Sequence, residues 1–326
     1  MNRSLLDTAL DLSVLPGYTN VGYRIRRRTW SALPPGAMDG KVVLVTGASS
    51  GIGLAAAEGF ARLGAGVRLL ARSEERGERA RAQIVARTGN RDVRVGLCDL
   101  SELESVRDYA AGFQVEETAL HVLVNNAGAM PQTRTLTSEG LELTFVTNVL
   151  GPFLLTSLLL GLLEHSAPAR IVEVSSGGMY TQRLDAEDLQ SEHGDYDPPA
   201  VYARSKRAQV VLGELWAERL QGSGVVVHSM HPGWVDTPGL QASLPRFRRV
   251  TAPLLRTPEE GADTIVWLGA AEEPAHSSGG FWHDRRERPT HRGPWARETP
   301  AERERLWSAC ERLCGLHDFS SAPRRR

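Results

Sequence analysis

Two residues of this 326-residue chain have the types and spacing to move a proton, Tyr202 and Lys206, four positions apart. The chain carries 36 Arg and two Lys, Lys41 and Lys206, so an ammonium group one helical turn after a Tyr stands out among guanidinium groups. On a helix, positions i and i+4 share a face. A compact ammonium there favours a phenolate, because a nearby opposite charge lowers an acid's pKa. A free Tyr titrates near 10, so acid–base work at neutral pH asks for a shift of roughly 2–3 units, about 3–4 kcal/mol. The plain alternative is a solvated Tyr and a surface Lys on an amphipathic helix, and the pair alone does not decide between them.

A second chemical feature stands upstream. The apolar run Val42-Val43-Leu44-Val45 leads into Thr46-Gly47-Ala48-Ser49-Ser50-Gly51-Ile52-Gly53, and a helical pattern follows through Leu54, Ala57, Phe60 and Leu63. This reads as strand, phosphate-binding turn and helix. Gly47 allows the tight turn, Gly51 lets the backbone approach a pyrophosphate, and Gly53 lets helix and strand pack closely. The free N–H groups of the helix N-terminus then face the anion. A flexible Gly/Ser loop is the alternative, against which the flanking strand and helix argue.

The next strand-like run, Val67-Arg68-Leu69-Leu70, bears on the type of dinucleotide. An acidic residue about 20 positions after the turn would bind a ribose 2′-hydroxyl. Ala71 occupies that place and Arg72-Ser73 follow. Arg72 suits a 2′-phosphate through charge-assisted hydrogen bonds. The reading is therefore NADP(H) in preference to NAD(H), with Glu74 and Glu75 keeping NAD(H) open.

These residues need a scaffold, and the chain supplies an alternating pattern. Strand-like runs are Val42–Val45, Val67–Leu70, Val93–Leu97, Val122–Val124, Ile171–Val174 and Val225–His228. Helix-like stretches between them include Glu74–Ala86, Leu103–Phe113, Glu139–Leu163 and Ala200–Leu220. The alternation predicts an α/β fold of the Rossmann type, a doubly wound parallel sheet with helices on both faces. Ligands of such sheets bind beyond the carboxyl ends of the strands.

The remaining motifs fall at those ends, in order: Cys98-Asp99-Leu100, Asn125-Asn126-Ala127-Gly128, Asn148 in the following helix, Ser175-Ser176, then Pro232-Gly233, Val235 and Thr237. With the Gly-rich turn and the Tyr202/Lys206 pair, residues 38–283 resemble the short-chain dehydrogenase/reductase superfamily. Ser175-Ser176-Gly177-Gly178-Met179, Asp188–Glu192, Met230-His231-Pro232-Gly233-Trp234 and Gly261–Thr264 match one subgroup of it. The resemblance implies an oxidoreductase that interconverts an alcohol and a carbonyl. Tyr202 would be the general acid or base, Ser176 rather than Ser175 would hydrogen-bond the reacting oxygen, and Lys206 would lower the Tyr pKa and hold the nicotinamide ribose. Asn148 would anchor a water relaying protons to Lys206. Gly47, Ser49, Ser50, Gly51, Ile52 and Gly53 would cradle the cofactor. Asp99 and Leu100 would contact the adenine, and Asn126, Ala127 and Gly128 would line the ribose side. Pro232, Gly233, Val235 and Thr237 would hold the nicotinamide end. Ser176 and Tyr202 are separated by an insert, Gly177–Val201, longer than in shorter members and similar to that of retinol-dehydrogenase-like relatives. It is expected to shape the substrate entrance.

Met179, Trp234, Leu240, Leu244 and Phe247 read as an apolar pocket wall for a lipophilic substrate, with Thr237–Pro253 as a segment able to close over it. His231, before a Pro, reads as a packed structural residue. Cys310 and Cys314 lie on a terminal helix starting at Thr299-Pro300. With His317 they have the spacing of one helix face, but no fourth ligand is evident, so a packing face is expected and no metal. A non-catalytic NADP-binding redox sensor or scaffold is the other class of function, and it should lack part of the catalytic set.

The net charge of −1 gives no global field for nucleic acid. Three Cys suggest a reducing compartment. No apolar run in the first 30 residues is long enough for a secretory signal. Leu150–Leu163 is too short for a membrane span and reads as a buried helix. The expected location is cytoplasmic. The segment 1–37 is an extension with Arg24-Ile25-Arg26-Arg27-Arg28 and Trp30. That cluster could touch an anionic membrane or belong to an arm packed across the protein. Residues 284–326 form a C-terminal extension whose end, Arg324–Arg326, reads as disordered. A homo-oligomer is left open.

Overall fold

The computed structural model describes residues 7–8, 10–11, 13–293 and 296–316. His317 and Arg324–Arg326 lie outside the described residues. The alternating apolar runs become a single eight-stranded sheet. Its strands are β1 Val42–Thr46, β2 Gly66–Ala71, β3 Val93–Leu97, β4 Val122–Asn125, β5 Ala169–Val174, β6 Val225–Met230, β7 Phe281–His283 and β8 Arg286–Arg288. Their order is β3-β2-β1-β4-β5-β6-β7-β8, with every pair parallel except β7 and β8. The direction of winding reverses between β1 and β4, which opens a crevice at their carboxyl ends.

An arm of two short helices, α1 Val14–Tyr18 and α2 Asn20–Arg27, precedes the sheet. The covering helices are α3 Gly51–Arg62, α4 Glu74–Thr88, α5 Leu103–Glu116, α6 Leu143–His165 and α7 Pro198–Arg219. Two short helices, α8 Pro238–Ser243 and α9 Pro245–Thr251, are followed by α10 Pro258–Ala270 and α11 Pro300–Leu313. Alternate strand residues face opposite ways. Val43 and Val45 pack with Phe60 of α3, Ile84 of α4 and Leu268 of α10, whereas Leu44 packs with Val106 of α5, Phe153 of α6 and Leu212 of α7. Two apolar cores thus sandwich the sheet.

Three differences from the sequence expectation have local causes. The helix expected from Glu139 starts at Leu143, because the buried Glu142 carboxylate caps it by accepting from the N–H groups of Thr144 (2.9 Å) and Phe145 (2.7 Å). Inside it, Val146–Leu150 forms a π-helical turn that carries Asn148. The edge strands β7 and β8 have three residues each, too short to give a period-two signal. Leu143–His165 is long and apolar enough to cross a membrane by length and composition, yet 72% of its apolar window is buried inside the protein, as a core helix requires.

The N-terminal arm is packed against the body, which takes one guanidinium out of the expected basic cluster. Arg26 is buried and bonds Asp7 (2.8 Å) and Asp284 (2.7 Å), leaving Arg24, Arg27 and Arg28 exposed. The terminal helix α11 begins with a Thr299/Glu302 capping box. Cys310 and Cys314 are buried in the apolar core with Leu150 and Leu306.

Candidate active site

The Gly-rich turn joins β1 to α3. Gly47 and Gly51 have φ of 65° and 55°, the left-handed region that a residue without Cβ enters freely. A Cβ at Gly53 would collide with the Asn126 amide and the Gly47 carbonyl. The tips of β1 and β4 are stitched together. Thr46 Oγ1 accepts from the N–H groups of Asn126 (2.9 Å) and Ala127 (3.0 Å), and Asn126 Nδ2 donates to the Thr46 carbonyl (2.8 Å).

The result is a cleft of about 500 Å³ at the reversal point, lined by Gly47, Ser49, Ser50, Gly51, Ile52, Gly53, Arg72, Asp99, Leu100, Asn126, Ala127, Gly128 and Thr237. A dinucleotide fits this surface on two counts. The glycines leave a cradle that side chains would fill, and the buried Thr147 Oγ1 on the cleft wall has no hydrogen-bond partner among the described residues. At the far end Arg72 stands 3.9 Å from Asp99 and is largely exposed. Ser73 and Arg76 line the same end, whereas Glu74 and Glu75 do not. Arg76 was missed in the sequence; its signal is its place in the first turn of α4, where the side chain of Ser73 caps its N–H (3.4 Å).

Ser176, Tyr202 and Lys206 converge on an adjoining cavity of about 450 Å³, which shares Ile52, Asn126, Gly128, Ala129, Thr237 and Gly239 with the first cleft. Pro232, Gly233 and Val235 also lie on its wall. Helix α7 sets Tyr202 and Lys206 on one face, with Lys206 Nζ 5.6 Å from the Tyr202 ring centroid. Burial, partly offset by a hydrogen bond from Ser176, pushes the Tyr202 phenol up to about 12. Burial outweighs the expected lowering by Lys206, whose ammonium donates to the Val174 carbonyl (2.9 Å) and Gln209 Oε1 (2.7 Å). Burial holds Lys206 down to about 8, against the opposing pull of the Glu173 carboxylate.

The two serines part ways. Ser175 is buried with its hydroxyl donating to the Lys206 carbonyl (2.8 Å), while Ser176 Oγ accepts from the Gly178 N–H (3.1 Å) beside Tyr202. Asn148 accepts from the Ala129 N–H (2.7 Å) and donates to the Ala129 carbonyl (3.1 Å) and Ser205 Oγ (2.9 Å). A Cβ on Gly128 would lie 3.4 Å from both Asn148 Oδ1 and Lys206 Nζ, so both groups border the space beside the bare glycine.

Trp234, Leu240, Leu244 and Phe247 form the apolar wall as expected. Met179 does not, because it is fully buried in a separate cluster with Val210 and Phe281. Met130, Thr181 and Pro199 were missed; the last two belong to the insert 177–201 and bring it to the cavity mouth. The insert is itself tied down, with Tyr196 donating to Glu142 (3.0 Å). His231 is buried and stacks on His283 at 3.9 Å between centroids; burial and the surrounding guanidinium groups hold it well below its ordinary pKa. Beneath Lys206 lies a group the sequence did not flag. Glu173 Oε1 accepts from Asn125 (2.6 Å), Oε2 accepts from Gln209 (3.4 Å), and burial pushes its carboxyl up to about 7.

Comparisons with known proteins agree with this architecture. The short chain dehydrogenase family model matches residues 41–186. The chain is 44% identical over 277 residues to dehydrogenase/reductase SDR family member 12 of Bos taurus, covering 84% of this chain and 86% of that protein. It is 40% identical to retinol dehydrogenase 12 of Homo sapiens over 86% of this chain and 88% of that one. Among solved structures, an uncharacterised protein from Mycobacterium paratuberculosis superposes with a TM-score of 0.69 at 29% identity, over 88% of this chain and 97% of that chain. An NADP active-site complex of RhlG from Pseudomonas aeruginosa superposes with a TM-score of 0.63 at 27% identity, over 76% and 96% of the two chains. Identity at this level over most of both chains, on a sheet wound in this order, makes the chain a member of the short-chain dehydrogenase/reductase family and an NAD(P)-dependent oxidoreductase acting on CH–OH and C=O groups.

Proposed function

We propose that the protein interconverts a lipophilic alcohol and its carbonyl with NADP(H), using Tyr202 as general acid and base. The observation that carries this reading is the junction of the two cavities. The Gly-rich cleft and the apolar pocket share the wall formed by Ile52, Asn126, Gly128, Ala129, Thr237 and Gly239, and Ser176, Tyr202 and Lys206 line the pocket that opens from it. When bound, the nicotinamide supplies or accepts the hydride. The chain's residues handle the proton and the charge at the substrate oxygen.

Tyr202 starts neutral, because burial disfavours its phenolate, and so is set to donate in the reducing direction. The Ser176 hydroxyl stabilises charge developing on the same oxygen. Lys206 has two of its three N–H bonds committed to Val174 and Gln209, which fixes its ammonium under the phenol. Asn148, locked to Ala129 and Ser205 beside Lys206, is the anchor of the proton path. Arg72 and Arg76 are the guanidinium groups for a 2′-phosphate. The exposed Arg24, Arg27 and Arg28 are the face through which an anionic bilayer would be met. A non-catalytic sensor would have no need of all four groups, Ser176, Tyr202, Lys206 and Asn148, in one cluster.

Tyr202→Phe keeps the ring and removes the hydroxyl. Turnover of a lipophilic aldehyde with NADPH should fall at least ~10²-fold, with NADPH binding nearly intact. Turnover near wild type would remove Tyr202 from its role.

A further inference from the structure

We infer that the N-terminal arm positions the substrate cavity, with Tyr18 and Asn20 pinning the two roots of the segment 237–254 that covers it. The inference rests on reading that cavity as the substrate site.

The segment has little hold of its own. Helix α8 buries no residue and α9 buries only Thr251. Its side-chain ties to the body include a Gln132–Ser243 bond (3.2 Å), a Ser243–Met130 bond (3.3 Å), a Gln241–Asp236 bond (3.1 Å) and the Arg248–Asp236 ion pair (2.8 Å). An element with so few buried apolar contacts opens locally unless its ends are fixed.

Four consecutive arm residues fix both ends. At the first root, the Tyr18 carbonyl accepts from the Trp234 N–H at 2.8 Å. The Tyr18 ring meets Trp234 edge-on at 6.3 Å, and Trp234 meets Phe247 of α9 edge-on at 5.0 Å. The same ring lies so close to the backbone after Ser176 that a Cβ on Gly177 would come within 2.6 Å of Tyr18 Cε2. At the second root, Asn20 Nδ2 donates to the carbonyls of Pro253 (3.1 Å) and Leu255 (3.3 Å). Arg256 bolts the roots together. Its guanidinium bonds the carbonyls of Gly17 (3.1 Å), Thr19 (3.2 Å) and Pro232 (3.1 Å) and pairs with Asp284 (2.6 Å). Its backbone exchanges bonds with Trp234 (2.7 Å) and Asp236 (2.9 Å). The arm therefore touches the Ser176 wall, the Trp234 wall and both hinges, and Tyr18 and Asn20 act as positioning residues.

Asn20→Asp tests this without changing side-chain shape. It removes the donor and sets an acceptor against two carbonyls. Two readouts on the full chain are needed: amide hydrogen exchange, and steady-state kinetics with NADPH and hexanal or dodecanal. Exchange at residues 238–252 should quicken ~10-fold or more while exchange in the sheet stays as in wild type. KM for dodecanal should rise ~5-fold, with kcat for hexanal and the Kd for NADPH within ~2-fold of wild type. Asn20→Ala should shift both readouts the same way by less. Unchanged exchange at 238–252 in both variants overturns the inference whatever the kinetics show. Faster exchange with unchanged dodecanal kinetics upholds the arm's hold on the segment and overturns the substrate-site reading instead. A uniform loss of protection across the sheet would mean that the arm contributes only global stability, and would also overturn it.

Discussion

Glu173 and Lys206 are buried side by side, bridged by Gln209, and their proton balance leaves a mark on stability. Burial lifts the Glu173 carboxyl from its ordinary 4.5 to about 7, so between those values the folded protein holds a proton that the unfolded chain has released. Stability therefore falls as pH rises through that window. Lys206 is lowered from 10.5 to about 8, so between 8 and 10.5 the unfolded chain holds the extra proton and this group's contribution makes stability rise with pH. Denaturation midpoints of Glu173→Gln across these ranges should lose the first slope and keep the second. A wild-type profile in the variant would place the lower titration elsewhere. At the other end of the cleft, Arg72→Ala should weaken NADPH binding by about 1.5–3 kcal/mol and leave NADH nearly unchanged. Arg72 faces Asp99 at 3.9 Å without a committed bond, so it is free to turn to a phosphate. Equal losses for both cofactors in titrations would contradict the assignment.

At the scale of the element, the proposed function predicts that the covering segment sets substrate preference. Leu240, Leu244 and Phe247 turn apolar surface onto the cavity, and closure over a hydride-transfer site excludes water. Each methylene buried there is worth about 0.8 kcal/mol, or roughly fourfold in kcat/KM, until the pocket is full. A series of straight-chain aldehydes should rise by that increment and then level off. Phe247→Ala removes the ring that packs on Trp234 and should flatten the series. A wild-type series with no slope, or a slope indifferent to Phe247, would sink the closing role and leave the proton chemistry standing.

At the scale of the whole molecule, the two chain extensions meet in one buried ionic cluster. Asp284, only 2% exposed, pairs with Arg256 at 2.6 Å and with Arg26 of the arm at 2.7 Å. Arg288 and Arg286 bond Asp7 from the edge strand β8, so the hairpin after residue 283 and the arm stabilise each other. Removing one member leaves buried charge without compensation, which costs about 3–5 kcal/mol. Asp284→Asn keeps the shape and tolerates the positive φ of 53° at this position, so urea unfolding should read a loss of that size. A loss under ~1 kcal/mol would show that Arg256 and Arg26 are held by backbone carbonyls alone.

The sequence by itself determined six of the eight strands, the Gly-rich crevice and the candidate side chains of the site. Those features are local: strand runs such as Val42–Val45, turn glycines at Gly47 and Gly51, and a pair one helical turn apart at Tyr202 and Lys206 need only their neighbours to be recognised. Tertiary structure decided what depends on partners distant in the chain. It sent Met179 into the core and Arg26 into an ion pair, and it brought Thr181 and Pro199 to the cavity mouth. It placed Glu173 under Lys206, a relation carried by β5 meeting α7. It laid Tyr18 and Asn20 on the roots of a segment more than two hundred residues later. A side chain's spacing announces its own helix face or strand face, but the dielectric around it and the groups it meets are set by which elements the fold stacks upon it.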